Sequence, residues 1–158
     1  AIGMMINALY FEKYIIPNDF TGSVYILTDN KIGKKRKYDF FTRVYRIPNS
    51  GVLFTKFNQK SGFNYRKFYQ ENRKGELTEL GILDHRHYIE KWVHNPPKTE
   101  PSRDSLAVFT PELEYDFDNK NYRMGFTVGK YNDIKNWGII SKDKIDSLRN
   151  VEKTHSEP

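Results

Sequence analysis

Two short stretches constrain this chain most: Tyr14-Ile-Ile-Pro-Asn18 and Tyr45-Arg-Ile-Pro-Asn49. Each sets a proline directly behind an apolar run, and proline cannot donate to a strand ladder. Each is followed by a glycine (Gly22, Gly51) and then by an apolar run led by valine (Val24, Val52). The pattern predicts short strands with sharp corners. Proline stops a strand, asparagine accepts turn geometry, glycine permits angles that a β-carbon hinders, and valine restarts burial. The half-echo therefore reads as one structural problem solved twice, with Ser50 a turn residue rather than a nucleophile.

The same punctuation recurs along the chain. Residues 8–16 read as a strand that Pro17 ends. Residues 23–28 read as a central strand, with Val24, Ile26 and Thr28 on one face and Tyr25 and Leu27 on the other. Residues 42–47 and 52–57 are expected to form a hairpin around Asn49-Ser50-Gly51. Residues 63–70 and 76–82 pair through a turn at 72–75. Residues 87–94 suit a strand or a short helix, and 95–105, with three prolines, suit a loop. Residues 106–117 and 121–129 form a second hairpin, in whose return arm Tyr122, Met124, Phe126 and Val128 share a face. The period then changes. Residues 131–137 suit a helical turn, and 142–150 suit a helix capped by Ser141 and docked by Ile145 and Leu148. The expected fold is mainly β: an antiparallel β-sandwich of about seven to nine strands with a short C-terminal helix. It occupies one domain over residues 1–151, with 152–158 a flexible tail.

Composition supports strands. Eleven Tyr and eleven Phe put aromatics at 15% of 158 residues, enough large rings to fill one core without staples. The net charge of +6 comes from 26 basic and 20 acidic residues, a mixed surface rather than a polybasic one, so nucleic acid is not the expected partner. The absence of cysteine excludes a disulfide framework, cysteine-ligated zinc and a cysteine nucleophile. No apolar run approaches the ~20 residues of a membrane span. The start, AIGMMINALY, has no basic n-region and fits a mature end left after a signal is removed, or an internal boundary.

Four features invite a chemical reading. In Lys31-Ile-Gly-Lys-Lys-Arg-Lys37 five of seven residues are basic. A solvated loop whose lysines guard a sheet edge explains it, and so does a contact to anions or a partner through Lys34, Lys35, Arg36 and Lys37. Asp84-His85-Arg86-His87 could present His85 and His87 on one strand face to zinc or copper, with His94 or Asp84 as a further ligand, but the spacing is common by chance. Glu112, Glu114, Asp116 and Asp118 alternate and could serve glycoside hydrolysis or calcium, although Lys120 stands where an acidic ligand is needed. Trp92, Trp137 and Tyr131 could stack on sugars or bases, with core packing the simpler role. There is no P-loop, dinucleotide fingerprint or nucleophile elbow. No catalytic residue, metal ligand or cofactor is assigned.

YIIPNDFTGSVYI, VYRIPNSGVLFTKF, KFYQENRKGELTEL and FTVGKYNDIKN, in that order, resemble the successive signatures of an uncharacterised bacterial domain family. The resemblance covers about residues 12–135. It implies an exported or lipid-anchored envelope protein with no assigned activity, and a small β-sandwich of the transthyretin or immunoglobulin type. The basic run at 31–37 departs from it, since a shorter and less charged loop is expected there. The chain also lacks the cysteine that would carry a lipid, so any lipid anchor lies outside it.

Three functional readings follow. The first is a non-enzymatic interaction module of the cell envelope, or a secreted one, that binds a protein or glycan. The second is an immunity-type protein that binds and blocks a toxin. The expected location is the cell envelope or outside the cell, with the cytoplasm as the alternative. The third is a glycan-active enzyme using the 112–118 carboxylates. Fold alone does not choose among them.

Overall fold

The strand that ends in the first Ile-Pro-Asn motif shows how the fold is built. In β1 (Leu9–Ile16) the even positions Glu12, Tyr14 and Ile16 are buried, while Phe11 is 40% exposed. Successive side chains of a strand face opposite ways, so β1 has an inner face and an outer one. The structure is a computed structural model that describes residues 9–28, 30–59, 63–83, 101–116, 121–136 and 142–156. The described strands continue with β2 (Gly22–Leu27), β3 (Lys37–Asp39), β4 (Thr42–Arg46), β5 (Val52–Phe54), β6 (Phe63–Glu71), β7 (Leu77–Leu83), β8 (Ala107–Asp116) and β9 (Asn121–Gly129). A 3₁₀ turn (Tyr131–Asn136) and helix α1 (Lys142–Ser156) follow.

The nine strands hydrogen-bond in one order, β3-β4-β1-β6-β7-β8-β9-β2-β5. Among the described residues β1 pairs in parallel with β4 and β6, β2 with β5, and β7 with β8; the other neighbours are antiparallel. This corrects the expected antiparallel sandwich: the fold is mainly β, but it is a single mixed sheet. That sheet curls on itself. Phe68 of β6 and Phe126 of β9 stand three strands apart in the order, yet their rings meet edge to face at 5.0 Å. One buried cluster draws on Tyr14, Val24, Tyr45, Leu53, Phe68, Leu80, Val108 and Phe126, that is, on every strand except β3. The concave face of the curl is the core.

The two Ile-Pro-Asn motifs are not hairpin turns. β4 and β5 do not pair with each other, and neither do β1 and β2. Each motif instead arches the chain from one arm of the curl to the other. The two arches stack. Tyr14 lies beside Tyr45 and Ile15 beside Arg46, and the ladder continues as the Ile47 N–H donates to the Ile15 carbonyl at 2.9 Å. Both arches then make the same tight turn: Phe20 N–H to Pro17 O at 3.3 Å, and Gly51 N–H to Pro48 O at 2.9 Å. The missing N–H of each proline ends one strand, and the turn aims the next. Gly51 has φ +79°, a region where a β-carbon is strained. Beyond the turns the copies lose step. Val52 lies beside Tyr25, not Val24, so the two valines face opposite ways: Val24 into the core and Val52 to the outer face. There Val52, Phe54 and Leu27 are covered by Ile145 of α1, with Leu148 beside them. The helix runs to Ser156, beyond the 142–150 read from the sequence, so through Ser156 the expected tail is helical. The return arm β9 faces as expected where its side chains are described, with Met124, Phe126 and Val128 all buried.

Candidate functional site

The parallel register of β4, β1 and β6 sets side chains in rows across the concave face. One row is Tyr45, Tyr14 and Phe68, in adjacent register positions. Tyr14 stacks between the other two, with both centroid distances 4.8 Å and interplanar angles of 8° and 15°. The row toward the strand starts is Arg43, Glu12 and Arg66. Glu12 is only 6% exposed, and its Oε2 accepts from the Tyr14 hydroxyl at 2.8 Å and from Arg66 Nε at 3.0 Å. Arg43, also buried, lies over the Phe57 ring at 4.8 Å and donates to the Asn58 carbonyl at 2.7 Å and to Asn58 Oδ1 at 3.0 Å. Burial above all, and then the Glu12 charge, push the Tyr14 phenol well above its usual range. The same two causes push Tyr45 up to about 12. Burial works against the Arg66 guanidinium, but Tyr14 and Glu12 outweigh it and hold its pKa up. Both phenols are neutral and Arg66 is charged at any ordinary pH. Each polar group in the row already has a partner inside the chain, as a buried network requires.

The basic segment singled out in the sequence lies at the same end of the sheet, on the outside. It crosses the seam between the two edges of the curl. Lys34 bridges to Thr55, just beyond edge strand β5: its N–H donates to the Phe54 carbonyl at 2.7 Å, and the Lys56 N–H donates to its own carbonyl at 3.0 Å. Three residues on, Lys37 opens β3, the opposite edge. Arg36 Nε donates to the Lys56 carbonyl at 3.0 Å, and Tyr38 packs edge to face on Phe57 at 5.2 Å. Gly33 presses against β5 so closely that a β-carbon would fall 2.6 Å from the Phe54 and Thr55 backbone. The backbone of this strap is therefore fixed to the body. Its lysine side chains are not: Lys34, Lys35 and Lys37, like Arg36, are exposed, and the three lysines form no salt bridge to any described residue.

The strap leads into a hairpin that sequence reasoning missed. Asp39 of β3 pairs with Thr42 of β4, so Phe40 and Phe41 are the whole connection. They are 93% and 92% exposed. Phe40 has φ +54°. A two-residue connection with positive φ at its first position normally places glycine there, and a bulky residue costs on the order of 1 kcal/mol or more. The available signal was the Phe-Phe pair itself, which breaks the strand alternation so that both rings cannot face the core. Glu12, Arg43 and Arg66 were likewise missed, although each sits at an inward position of a strand.

The remaining sequence candidates divide. Asp84, His85, His87, Trp92, His94, Asp118 and Trp137 lie outside the described residues. Glu112, Glu114 and Asp116 stand on β8 beside Gly125, Arg123 and Asn121 of β9. Ser50 Oγ accepts from the Val52 N–H at 3.3 Å, a bond within its own turn. Tyr131 packs near Leu83 and Phe109 beneath the Arg103 guanidinium, at 4.9 Å. At the far end of the sheet an open hollow of about 370 Å³ lies between the first arch and the β6–β7 turn. Its polar groups are engaged with one another, Arg73 with Asp19 at 3.6 Å and Asn72 with Glu76 at 2.6 Å.

No helix among the described residues is long and apolar enough to cross a membrane. No curated protein matches the sequence. The fold is similar to a crystal structure of a Bacillus anthracis protein that bears the provisional name of lipoprotein, with a TM-score of 0.53 and 11% identity over 94% of this chain and 97% of that one. At such identity the likeness is one of fold alone. Residues 11–117, more than half of the chain, match a family of unknown function, DUF6843, and the chain belongs to that family.

Proposed function

We propose that this protein is a non-enzymatic interaction module of the bacterial cell envelope that holds an anionic partner on its basic strap. One observation carries the reading: the strap's backbone is locked into the seam while Lys34, Lys35 and Lys37 extend from it without acidic partners among the described residues. A loop needed only for closure requires the backbone bonds and Gly33, not the charges. Cations carried on an ordered backbone are already gathered for anions, and the cost of ordering that backbone falls on folding rather than on binding. Arg43 and Arg66, at the same end of the curl, add to its positive potential against the buried Glu12. The envelope assignment is supported by the lipoprotein name of the structural neighbour.

The test is binding of the full chain to immobilised heparin and polyglutamate at low and high salt. Wild type should be retained at low salt and released as salt rises. Changing Lys34, Lys35, Arg36 and Lys37 to Ser should abolish retention with the fold intact. Equal retention of the variant would remove the strap from the account.

A further inference from the structure

Phe40 and Phe41 lie at the end of a two-stranded edge, beyond the last ladder pair, and are almost wholly exposed, so no packing among the described residues accounts for two large rings there. We infer that this hairpin tip is a wedge that enters an anionic lipid bilayer, with the strap lysines resting on the headgroups. The inference rests on the proposed reading of the strap as an anion-contacting surface and names its partner.

Three arrangements favour lipid over an acidic protein or a glycan. The first is shape. The tip is convex and presents two adjacent rings at its apex. A bilayer accepts a convex apolar tip without a matching pocket, whereas a folded partner must supply one. The second is the order of groups along the chain. The exposed cations Lys34, Lys35, Arg36 and Lys37 come first, on the strap, and the apolar apex Phe40-Phe41 follows them at the tip. That sequence of depths suits acyl chains below and anionic phosphates above. Asp39, the one acidic residue of the hairpin, is paired with Lys13 at 3.5 Å. The third is the neighbouring rim. Thr42 lies beside Phe11, and Phe11 beside Tyr65, so two further half-exposed rings continue the apolar end on the outer face. They meet edge to face at 5.9 Å, and Tyr65 also lies near the Lys67 ammonium at 5.9 Å. Rings with cations at their edge suit the interface between headgroups and acyl chains. The strained backbone at Phe40 points the same way, because a turn selected only for closure takes glycine there.

The test is co-sedimentation of the full chain with phosphatidylcholine vesicles and with mixed phosphatidylcholine–phosphatidylglycerol vesicles. Wild type should bind the mixed vesicles and bind the neutral ones at least about tenfold less. The double variant Phe40→Gly/Phe41→Ser should lose at least about tenfold of its partition into mixed vesicles, with a melting temperature equal to or above that of wild type. A Phe41→Trp variant should show fluorescence quenched by brominated lipid beyond the quenching of the native tryptophans. Wild-type binding by the double variant, or no added quenching in Phe41→Trp, overturns insertion. Retention on heparin or polyglutamate without binding to any vesicle also overturns the lipid assignment and leaves the strap as a site for another anionic partner. A Lys34→Ser/Lys35→Ser/Lys37→Ser variant that matches wild type on vesicles, heparin and polyglutamate alike overturns the functional reading beneath it.

Discussion

The concave face and the seam strap use the same residue types in opposite ways. Inside, Tyr14, Tyr45 and Phe68 stack on one another, and Arg66 and Glu12 close a bonded row beside them. Outside, at the same end of the sheet, Phe40 and Phe41 face solvent and Lys34, Lys35 and Lys37 have no acidic partner among the described residues. Rings and cations that partner each other stabilise the fold. Rings and cations without partners among the described residues, on a fixed backbone, are what the proposed reading assigns to an external partner. The difference is not one of local order, since the strap's backbone is bonded on both sides of the seam.

The comparison breaks most visibly in the interior stack. Phe68→Ala removes a fully buried ring that contacts both Tyr14 and Phe126, and should cost about 3–5 kcal/mol in urea unfolding. A loss below about 1 kcal/mol would mean that the curl is not held by these rings.

Alkali should act on the buried phenols of the interior. Tyr45 is held up to about 12 in the fold, against an ordinary phenol pKa of 10.0. Between those values the folded state binds more protons than the unfolded one, so stability falls as pH rises. The contribution is fully present below about pH 10 and amounts to on the order of 2–3 kcal/mol, lost as pH climbs through 12. Tyr14, raised in the same direction, steepens the loss. Tyr45→Phe should flatten the decline in melting temperature above pH 10. An unchanged slope would place that titration elsewhere.

The strap's backbone should be sensitive where its side chains are not. Gly33→Ala drives a β-carbon into the β5 backbone, and should cost about 1–3 kcal/mol. A silent Gly33→Ala would mean that the seam is not closed as described.

Much of this was legible in the residues. The strand positions follow from alternation and from Pro, Gly and Asn punctuation, as with Leu9–Ile16 before Pro17 and the Ala107–Gly129 hairpin. The pairing was not. A Pro-Asn-Ser-Gly turn looks the same whether its flanking strands bond to each other or arch apart, because the turn's own bond, Gly51 N–H to Pro48 O, occurs in both cases. The missed clue was the echo itself: two copies of strand, corner and strand can stack in parallel only if neither copy is a hairpin. β3 escaped notice because three exposed residues at an edge, Lys37–Asp39, show no apolar face. The basic run was legible as a cluster of charge. Its fixation was not, since that depends on backbone bonds to Phe54 and Lys56, about twenty residues away.

The most direct test of the contrast is the unfolding free energy of one variant carrying Lys34→Ser, Lys35→Ser, Lys37→Ser, Phe40→Gly and Phe41→Ser. If these five side chains serve a partner and not the fold, its stability in urea should lie within about 0.5 kcal/mol of wild type, or above it because glycine relieves the positive φ at position 40. A loss of more than about 2 kcal/mol would show that they hold the seam together, and the distinction between a bonded interior and an unpartnered strap would fail.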